Sequence, residues 1–271
     1  MKKELPRISV VTPSFNQAYF LERTILSVLD QGYPNLEYII IDGGSTDGSI
    51  EVIKKYADRL AFWISEQDGG QAHAINKGLR IATGEWVGWQ NSDDIYYADC
   101  LCSVAAATDR YPNADLLIGN MNLIDKTGTV LRDLKYVRPT YHSILAEGMQ
   151  LTNQAAFWRR EIHEKIGYLD ESLDCGFDYE WFLRLLKVRQ AAHINKAWGG
   201  LRLHDQTKTA LRQDVFDREY RRILQGREPS TAEIRFFQLR RLVLTTFNGN
   251  ISYALRGLRN RAISFLDRRA Q

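Results

Sequence analysis

The first ninety residues alternate between short β-branched runs and stretches of helical spacing, and this alternation constrains the fold more than any other feature of the chain. Residues 7–13 (Arg-Ile-Ser-Val-Val-Thr-Pro) predict a strand stopped by proline. Leu21, Ile25, Val28 and Leu29 then recur at helical spacing, ending near Gln31-Gly32. Residues 36–41 predict a second buried strand, followed by a helix carrying Ile50, Ile53 and Ala57, and residues 60–65 a third strand. After residues 66–70 comes a helix with Ala74, Ile75, Leu79 and Ala82 inward, then a strand over 86–90. Strands and helices alternating this closely predict right-handed βαβ units and hence an α/β fold around a parallel sheet.

Three of those strand ends carry acids. Asp42 stands in Asp42-Gly43-Gly44-Ser45-Thr46-Asp47-Gly48, Asp68 in the loop after the third strand, and Asp93 and Asp94 in Gln90-Asn91-Ser92-Asp93-Asp94. Taken alone, the last group reads equally as a solvated turn in which Asn91 or Ser92 caps the next helix. In a parallel sheet, however, all three ends lie on one edge, where open α/β sheets bind ligands and where carboxylates can hold a divalent cation. There is no GxGxxG or GxxxxGK[ST] pattern, which argues against a dinucleotide or P-loop site. A phosphatase reading of Asp42 fails because its second acid would fall at Gly44.

Beyond Asp94 the pattern loosens. A helix around 99–110 leads to a strand at 115–120 and then to short runs that read as a meander, with further strands expected at 153–158, 192–196 and 198–203. A helix over 178–188 turns Phe182, Leu185 and Leu186 inward. Asp178, at its start, reads on local grounds as an N-cap. Three cysteines with no zinc spacing and no apolar run near ~20 residues imply a reducing, cytoplasmic setting without a membrane span.

Several stretches, in order, resemble the inverting nucleotide-sugar glycosyltransferases of family 2, which have the GT-A fold. They are Ile8-Ser-Val-Val-Thr-Pro-Ser-Phe-Asn16, Ile41-Asp-Gly-Gly-Ser-Thr-Asp-Gly48, Ser65-Glu-Gln-Asp-Gly-Gly-Gln71 with Asn76-Lys-Gly78, Asn91-Ser-Asp-Asp94, Asp178-Tyr-Glu-Trp181, and Leu203-His-Asp-Gln-Thr-Lys-Thr209. The resemblance implies a Rossmann-like, mostly parallel sheet flanked by helices. It also implies that Pro13, Phe15, Asn16 and Asp42 line the nucleoside pocket, with Asp68 and Lys77 on the nucleotide side. Ser92-Asp93-Asp94 stands where the family has its DxD-type motif, so Asp93 would face the ribose or metal and Asp94 would ligate Mn²⁺ or Mg²⁺. His204 would join the metal or diphosphate, and Asp178 would be the catalytic base, with Glu180 as the fallback. One departure concerns the base: many members have a second acid directly after the position of Asp42, which reads the uracil edge, and here that position is Gly43. UDP is therefore only the default nucleotide.

Net charge is +3, but residues 235–271 carry eight Arg against one Asp, which is +7 and leaves −4 for residues 1–234. Ile251, Leu255, Leu258, Ala262 and Leu266 form one helical stripe, with Arg256, Arg259 and Arg261 off it. The preceding helix, from Ile234, is similarly basic. These helices fit either an anionic membrane surface, through 234–271, or packing on the domain or on a second subunit. The expectation is a 1–210 catalytic domain with a 211–271 helical basic extension, peripheral on the inner face of the membrane. It would transfer a sugar from a nucleotide-diphosphate sugar to a glycan or lipid-linked glycan acceptor, in surface polysaccharide assembly. Nucleic acid is not an expected partner, and a homo-oligomer is compatible with the sequence. The alternatives are a nucleotidyltransferase making nucleotide sugars and a non-catalytic sugar-nucleotide or membrane-binding module.

Overall fold

The computed structural model describes residues 4–205, 207, 208 and 212–257. Strands β1 (Ile8–Ser14), β2 (Leu36–Asp42), β3 (Phe62–Ser65) and β4 (Trp86–Trp89) pair in the order β3-β2-β1-β4, all parallel. The helices α1 (Ala18–Leu29), α2 (Ser49–Lys55) and α3 (Gln71–Ile81) join them, as the alternation predicts. Because side chains alternate along a strand, each strand feeds two cores. Ile8, Val10, Tyr38, Ile40 and Trp86 pack with Leu21 and Ile25 of α1, whereas Val11, Ile39, Ile41, Val87 and Trp89 pack with Ile75 and Leu79 of α3. Helix α3 lies close on the sheet because residue 78 is glycine, where a β-carbon would overlap the Val11 side chain.

The remainder of the main body comprises β5 (Ile95–Tyr96), α4 (Cys100–Arg110), β6 (Leu116–Ile124), β7 (Val130–Leu134), α5 (Tyr141–Glu147), β8 (Ala156–Arg159), α6 (Ile162–Ile166), α7 (Phe177–Val188) and β9 (Ala191–Arg202). One nine-stranded sheet runs β3-β2-β1-β4-β8-β6-β9-β5, with β7 also paired to β6. Strand β8 is antiparallel to both neighbours, while β9 runs parallel to β6. The two strands expected at 192–196 and 198–203 are thus one strand. Its register shifts opposite residues 118–121, so the polar pair Asn195-Lys196 marks an irregularity rather than a break. The strand expected from 153 begins with a 3-10 turn, Asn153–Ala155, and pairs only from Ala156.

Helices α8 (Gln213–Leu224) and α9 (Thr231–Phe247) follow, and residues 251–257 are again helical. Helix α8 packs on the main body. Tyr220, Ile223 and Leu224 of α8 rest on the same core as α3 and α7. Helix α9 starts with a reciprocal capping box between Ser230 and Glu233. It is held to the body by the ion pair of Arg241 with buried Glu147 (2.9 Å) and by a bond from Arg240 to the Arg138 carbonyl (3.0 Å). Its outer face leaves Phe236, Leu239, Val243 and Phe247 exposed, Phe247 at 85%. Of the expected apolar stripe, Leu258, Ala262 and Leu266 lie outside the described residues, as do the flanking Arg259 and Arg261. Among the described residues, no helix is long and apolar enough to cross a membrane.

Candidate active site

Asp42 ends β2 and is fully buried. Its Oδ2 accepts bonds from the Gly44 and Ser45 N–H groups (3.1 and 2.9 Å) and the Ser65 hydroxyl (2.7 Å), and its Oδ1 from the Ser45 hydroxyl (2.6 Å). The carboxylate therefore shapes the turn after β2 and ties it to the end of β3. Asn16, in the left-handed region at φ 52°, interlocks with that turn: its N–H donates to Ser45 Oγ (2.8 Å), and its Oδ1 accepts from the Thr46 N–H (2.9 Å). The loops after β1 and β2 form one wall, with Pro13 buried at its root and Phe15 60% exposed at its rim.

Asp68 approaches the same turn from the loop after β3. A β-carbon on Gly43 would stand 2.8 Å from Asp68 Oδ2, while the Gly70 N–H holds Asp68 Oδ1 at 2.7 Å. Lys77 of α3 forms an ion pair with Glu66 of that loop. The structure thus gathers Pro13, Asn16, Asp42 and Asp68 at the carboxyl ends of β1, β2 and β3, with Lys77 beside them.

The turn after β4 is held from several sides. The Thr24 hydroxyl lies 2.9 and 2.7 Å from the carbonyls of Ser92 and Asp94. Arg202, buried at the end of β9, donates its N–H to Asp94 Oδ1 (2.7 Å) and its Nε to the Asp93 carbonyl (2.7 Å). Gln154 and Asn91 donate to Asp94 Oδ2 (2.6 and 3.3 Å). Asp94 is 1% exposed, and both its oxygens are bound by the protein. Burial, with the neighbouring Asp93 charge adding to it, holds its carboxyl well above the usual carboxylate range. Asp93 keeps contact with solvent, and its Oδ2 lies 2.9 Å from Nε2 of buried His204, whose ring packs on Phe20. The two acids thus differ in surroundings: Asp93 is paired with His204 and keeps contact with solvent, whereas both oxygens of Asp94 accept bonds from within the protein. Thr24, Gln154 and Arg202 were missed at the sequence level, because their roles depend on contacts 60 or more residues away.

Asp178 stands in the first turn of α7, whose N-cap is Gly176, so Asp178 is not the cap. It is half-buried, and its Oδ1 accepts from the Tyr179 N–H at 2.7 Å. Desolvation pushes its carboxyl up to about 6, against the opposing effects of backbone N–H bonds and the Lys208 charge. Lys208 lies four residues beyond His204 and bonds the Asp174 carbonyl and Oδ1, both at 2.9 Å. Lys208 thus contacts the turn that precedes α7. Glu180 is held by Arg184 through both oxygens (2.6 and 2.7 Å). Trp89, Trp158 and Trp181 are buried in the core and do not offer ring faces to a ligand. His193 bonds Asn120 (2.9 Å), and His73 accepts from the Gly69 N–H.

Among the described residues no three His, Cys, Asp or Glu side chains converge as a ready-made metal cage. Asp93 and His204 do present one oxygen and one nitrogen side by side. That pair suits a cation such as Mn²⁺ whose remaining positions are filled by ligand oxygens and water.

Residues 9–167 match the sequence model of the family described as glycosyl transferase family 2. The chain belongs to that family. A glycosyltransferase of Mycobacterium tuberculosis strain H37Rv is 30% identical over 192 residues, covering 70% of this chain and 72% of the relative. One from Rickettsia typhi is 28% identical over 223 residues, covering 77% of this chain and 68% of the relative. The chain spans a smaller share of other relatives, 32% in the case of one from Rickettsia felis. A putative teichuronic acid biosynthesis glycosyltransferase of Bacillus subtilis, TuaG, is 40% identical over 99 residues, covering 35% of this chain and 39% of TuaG. Among solved structures, S. aureus TarS 1–349 in complex with UDP-GlcNAc superposes with a TM-score of 0.66 at 19% identity, covering 89% of this chain and 71% of that one. The mannosyltransferase PcManGT of Pyrobaculum calidifontis, in complex with GDP-Man and Mn²⁺, gives 0.63 at 19% identity over 99% and 80%. These superpositions establish the GT-A glycosyltransferase fold. This family 2 member is a glycosyltransferase whose four parallel strands bring the motif-bearing loops to one edge.

Proposed function

We propose that this glycosyltransferase moves a sugar, with inversion, from a nucleotide-diphosphate sugar to a hydroxyl of a glycan or lipid-linked glycan, and that it is metal-dependent. The observation that carries the reading is the half-buried Asp178, its carboxyl raised to about 6, on a helix whose preceding turn is bonded by Lys208, four residues after the His204 that pairs with Asp93. A base poised near neutral pH can accept the proton of an acceptor hydroxyl as it attacks. Glu180 is engaged by Arg184, so α7 offers one available carboxylate, as a single displacement with inversion requires. Asp93 and His204 would hold Mn²⁺ or Mg²⁺, which when bound neutralises charge on the departing diphosphate. Asp94, Gln154 and Arg202 keep that turn in place. Turnover of nucleotide sugars assayed with and without Mn²⁺ tests the proposal, and no metal-dependent turnover or hydrolysis of any donor would overturn it.

Asp68 replaces the acid missing at residue 43. Its carboxylate fills the space over Gly43, so it would accept a bond from an N–H on the base edge, which uracil and guanine both offer. The TarS structure is a complex with UDP-GlcNAc and that of PcManGT a complex with GDP-Man, which supports a nucleotide-diphosphate sugar and leaves UDP as the default. Asp68→Ala is expected to raise KM for the donor about 10-fold or more with kcat nearly unchanged, since it removes binding common to ground and transition states. An unaltered KM would remove Asp68 from the base site.

The acceptor assignment draws on TuaG, named for teichuronic acid biosynthesis, and on the outer face of α9. Phe236, Leu239, Val243 and Phe247, continued by Ile251 and Leu255, form an exposed apolar stripe in a segment of net charge +7. Such a face suits the cytoplasmic surface of a membrane containing anionic lipid. The chain is expected to co-sediment with phosphatidylglycerol vesicles and not with neutral ones, and L239E/F247E to remain in the supernatant. Equal partitioning of the double variant would overturn the membrane assignment.

A further inference from the structure

The start of α7 is held by a residue from a different helix. Glu219 of α8 is 8% exposed, and its two oxygens accept bonds from the consecutive N–H groups of Asp174 (2.9 Å), Cys175 (2.9 Å) and Gly176 (2.7 Å). Successive backbone N–H groups converging in this way form a concavity that suits an anion. Gly176 permits the approach, because a β-carbon there would stand 2.9 Å from Ile223 Cδ1 and 3.4 Å from Glu219. One residue on, Tyr220 stacks on Tyr179 with centroids 4.8 Å apart.

We propose that Glu219 is a positioning residue for Asp178: reaching from α8, it binds the three backbone N–H groups that precede α7 and so fixes the first turn of the helix on which the base stands. The inference rests on the reading of Asp178 as the base. Glu219 is not a cap for its own helix, and no other acid in the described residues meets these three groups. Burial acts to raise its carboxyl, but the three N–H bonds outweigh burial and hold it below the usual range, so it is anionic at neutral pH. The charged groups around this turn are Lys208 and Arg212, both paired with Asp174, together with Glu219 itself. Helix α8 therefore belongs to the catalytic unit, and its contact with α7 sets the direction of the Asp178 side chain. Displacement of a reacting group by about 1 Å can cost on the order of 100-fold in rate.

The test is Glu219→Gln in the full chain. The amide keeps the shape and the packing of Tyr220 and Ile223, but its NH₂ opposes one of the N–H groups it replaces a partner for. We expect kcat to fall about 10- to 100-fold with KM for the donor within about two-fold, and amide exchange at residues 174–176 to accelerate. In an Asp178→Asn background the same change is expected to add no further loss, because there is no base left to misplace. Glu219→Asp, which keeps the charge on a shorter reach, is expected to restore part of kcat and provides the measurement if the Gln variant does not fold. An unchanged kcat, or an equal loss in the Asp178→Asn background, would overturn the proposal while leaving Asp178 as the base. Full activity in Asp178→Asn would overturn both.

Discussion

Asp178→Asn is expected to lower kcat for sugar transfer by about 10²- to 10⁴-fold while leaving donor binding intact, the usual contribution of a positioned general base. The wild-type profile of kcat/KM should fall on the acid side with a limb near pH 6, where desolvation places the Asp178 carboxyl. Below that pH the base is protonated and cannot accept the acceptor proton. The same variant is expected to be more stable than wild type. Asp178 is raised in the folded state relative to about 3.9 in the unfolded chain, so between roughly pH 4 and 6 the folded protein retains a proton that the unfolded chain has released. Folding stability from this group is thus lost as pH rises through that window, and the loss persists above it. A neutral Asn removes the penalty, which corresponds to a gain of about 2–6 °C in Tm at pH 7.5 that vanishes near pH 4. Calorimetry of the two proteins at both pH values checks the sign. An equal Tm at pH 7.5 would mean that Asp178 is better solvated than its position implies, and full activity would remove it as the base.

The second large effect is expected at Asp93. Asp93→Ala should abolish the Mn²⁺-dependent part of the thermal shift given by a nucleoside diphosphate and reduce turnover by at least about 10³-fold, because it removes the carboxylate exposed to the ligand. His204→Ala should weaken the apparent Mn²⁺ affinity while retaining the nucleoside-dependent shift. Asp94 should behave differently. Its oxygens are bound by the Arg202 N–H, Gln154 and Asn91, so Asp94→Ala leaves buried donors without an acceptor, and the expected result is a fall in Tm of several degrees. Metal titrations followed by thermal shift separate the two cases. If Asp94→Ala loses metal with its Tm unaltered while Asp93→Ala binds normally, the two acids have the reverse roles.

Much of the parallel half was legible in the sequence because its signals are local. Strand β1 needs only a β-branched run and Pro13, α3 only an apolar face with its Gly78 against the sheet, and a parallel sheet then obliges Asp42, Asp68 and the Asp93-Asp94 turn to share an edge. The later half was harder for a physical reason. Strand β9 contains a register shift that imitates two strands, β5 is two residues long, and β8 takes its place between β4 and β6 through pairings made with residues distant in the chain, such as Trp86 with Arg159 and Leu116 with Trp158.

The sequence by itself determined which residue types stand at or beside the carboxyl ends of the strands, and so the chemistry gathered along that edge: acids, a histidine and, on α3, a lysine. Only the tertiary structure decided what each of those groups contacts and how far each is buried. Asp93 and Asp94 are adjacent and chemically identical, yet one meets His204 and solvent while the other is enclosed by Gln154 and the backbone of Arg202. Asp68 comes to lie over Gly43 across a chain separation that no local pattern records. Glu219 likewise reads as an ordinary polar residue of an amphipathic helix until folding brings it to the three N–H groups before Asp178. Residue type is local information, but burial, desolvation and the direction of a hydrogen bond exist only once distant segments have packed together.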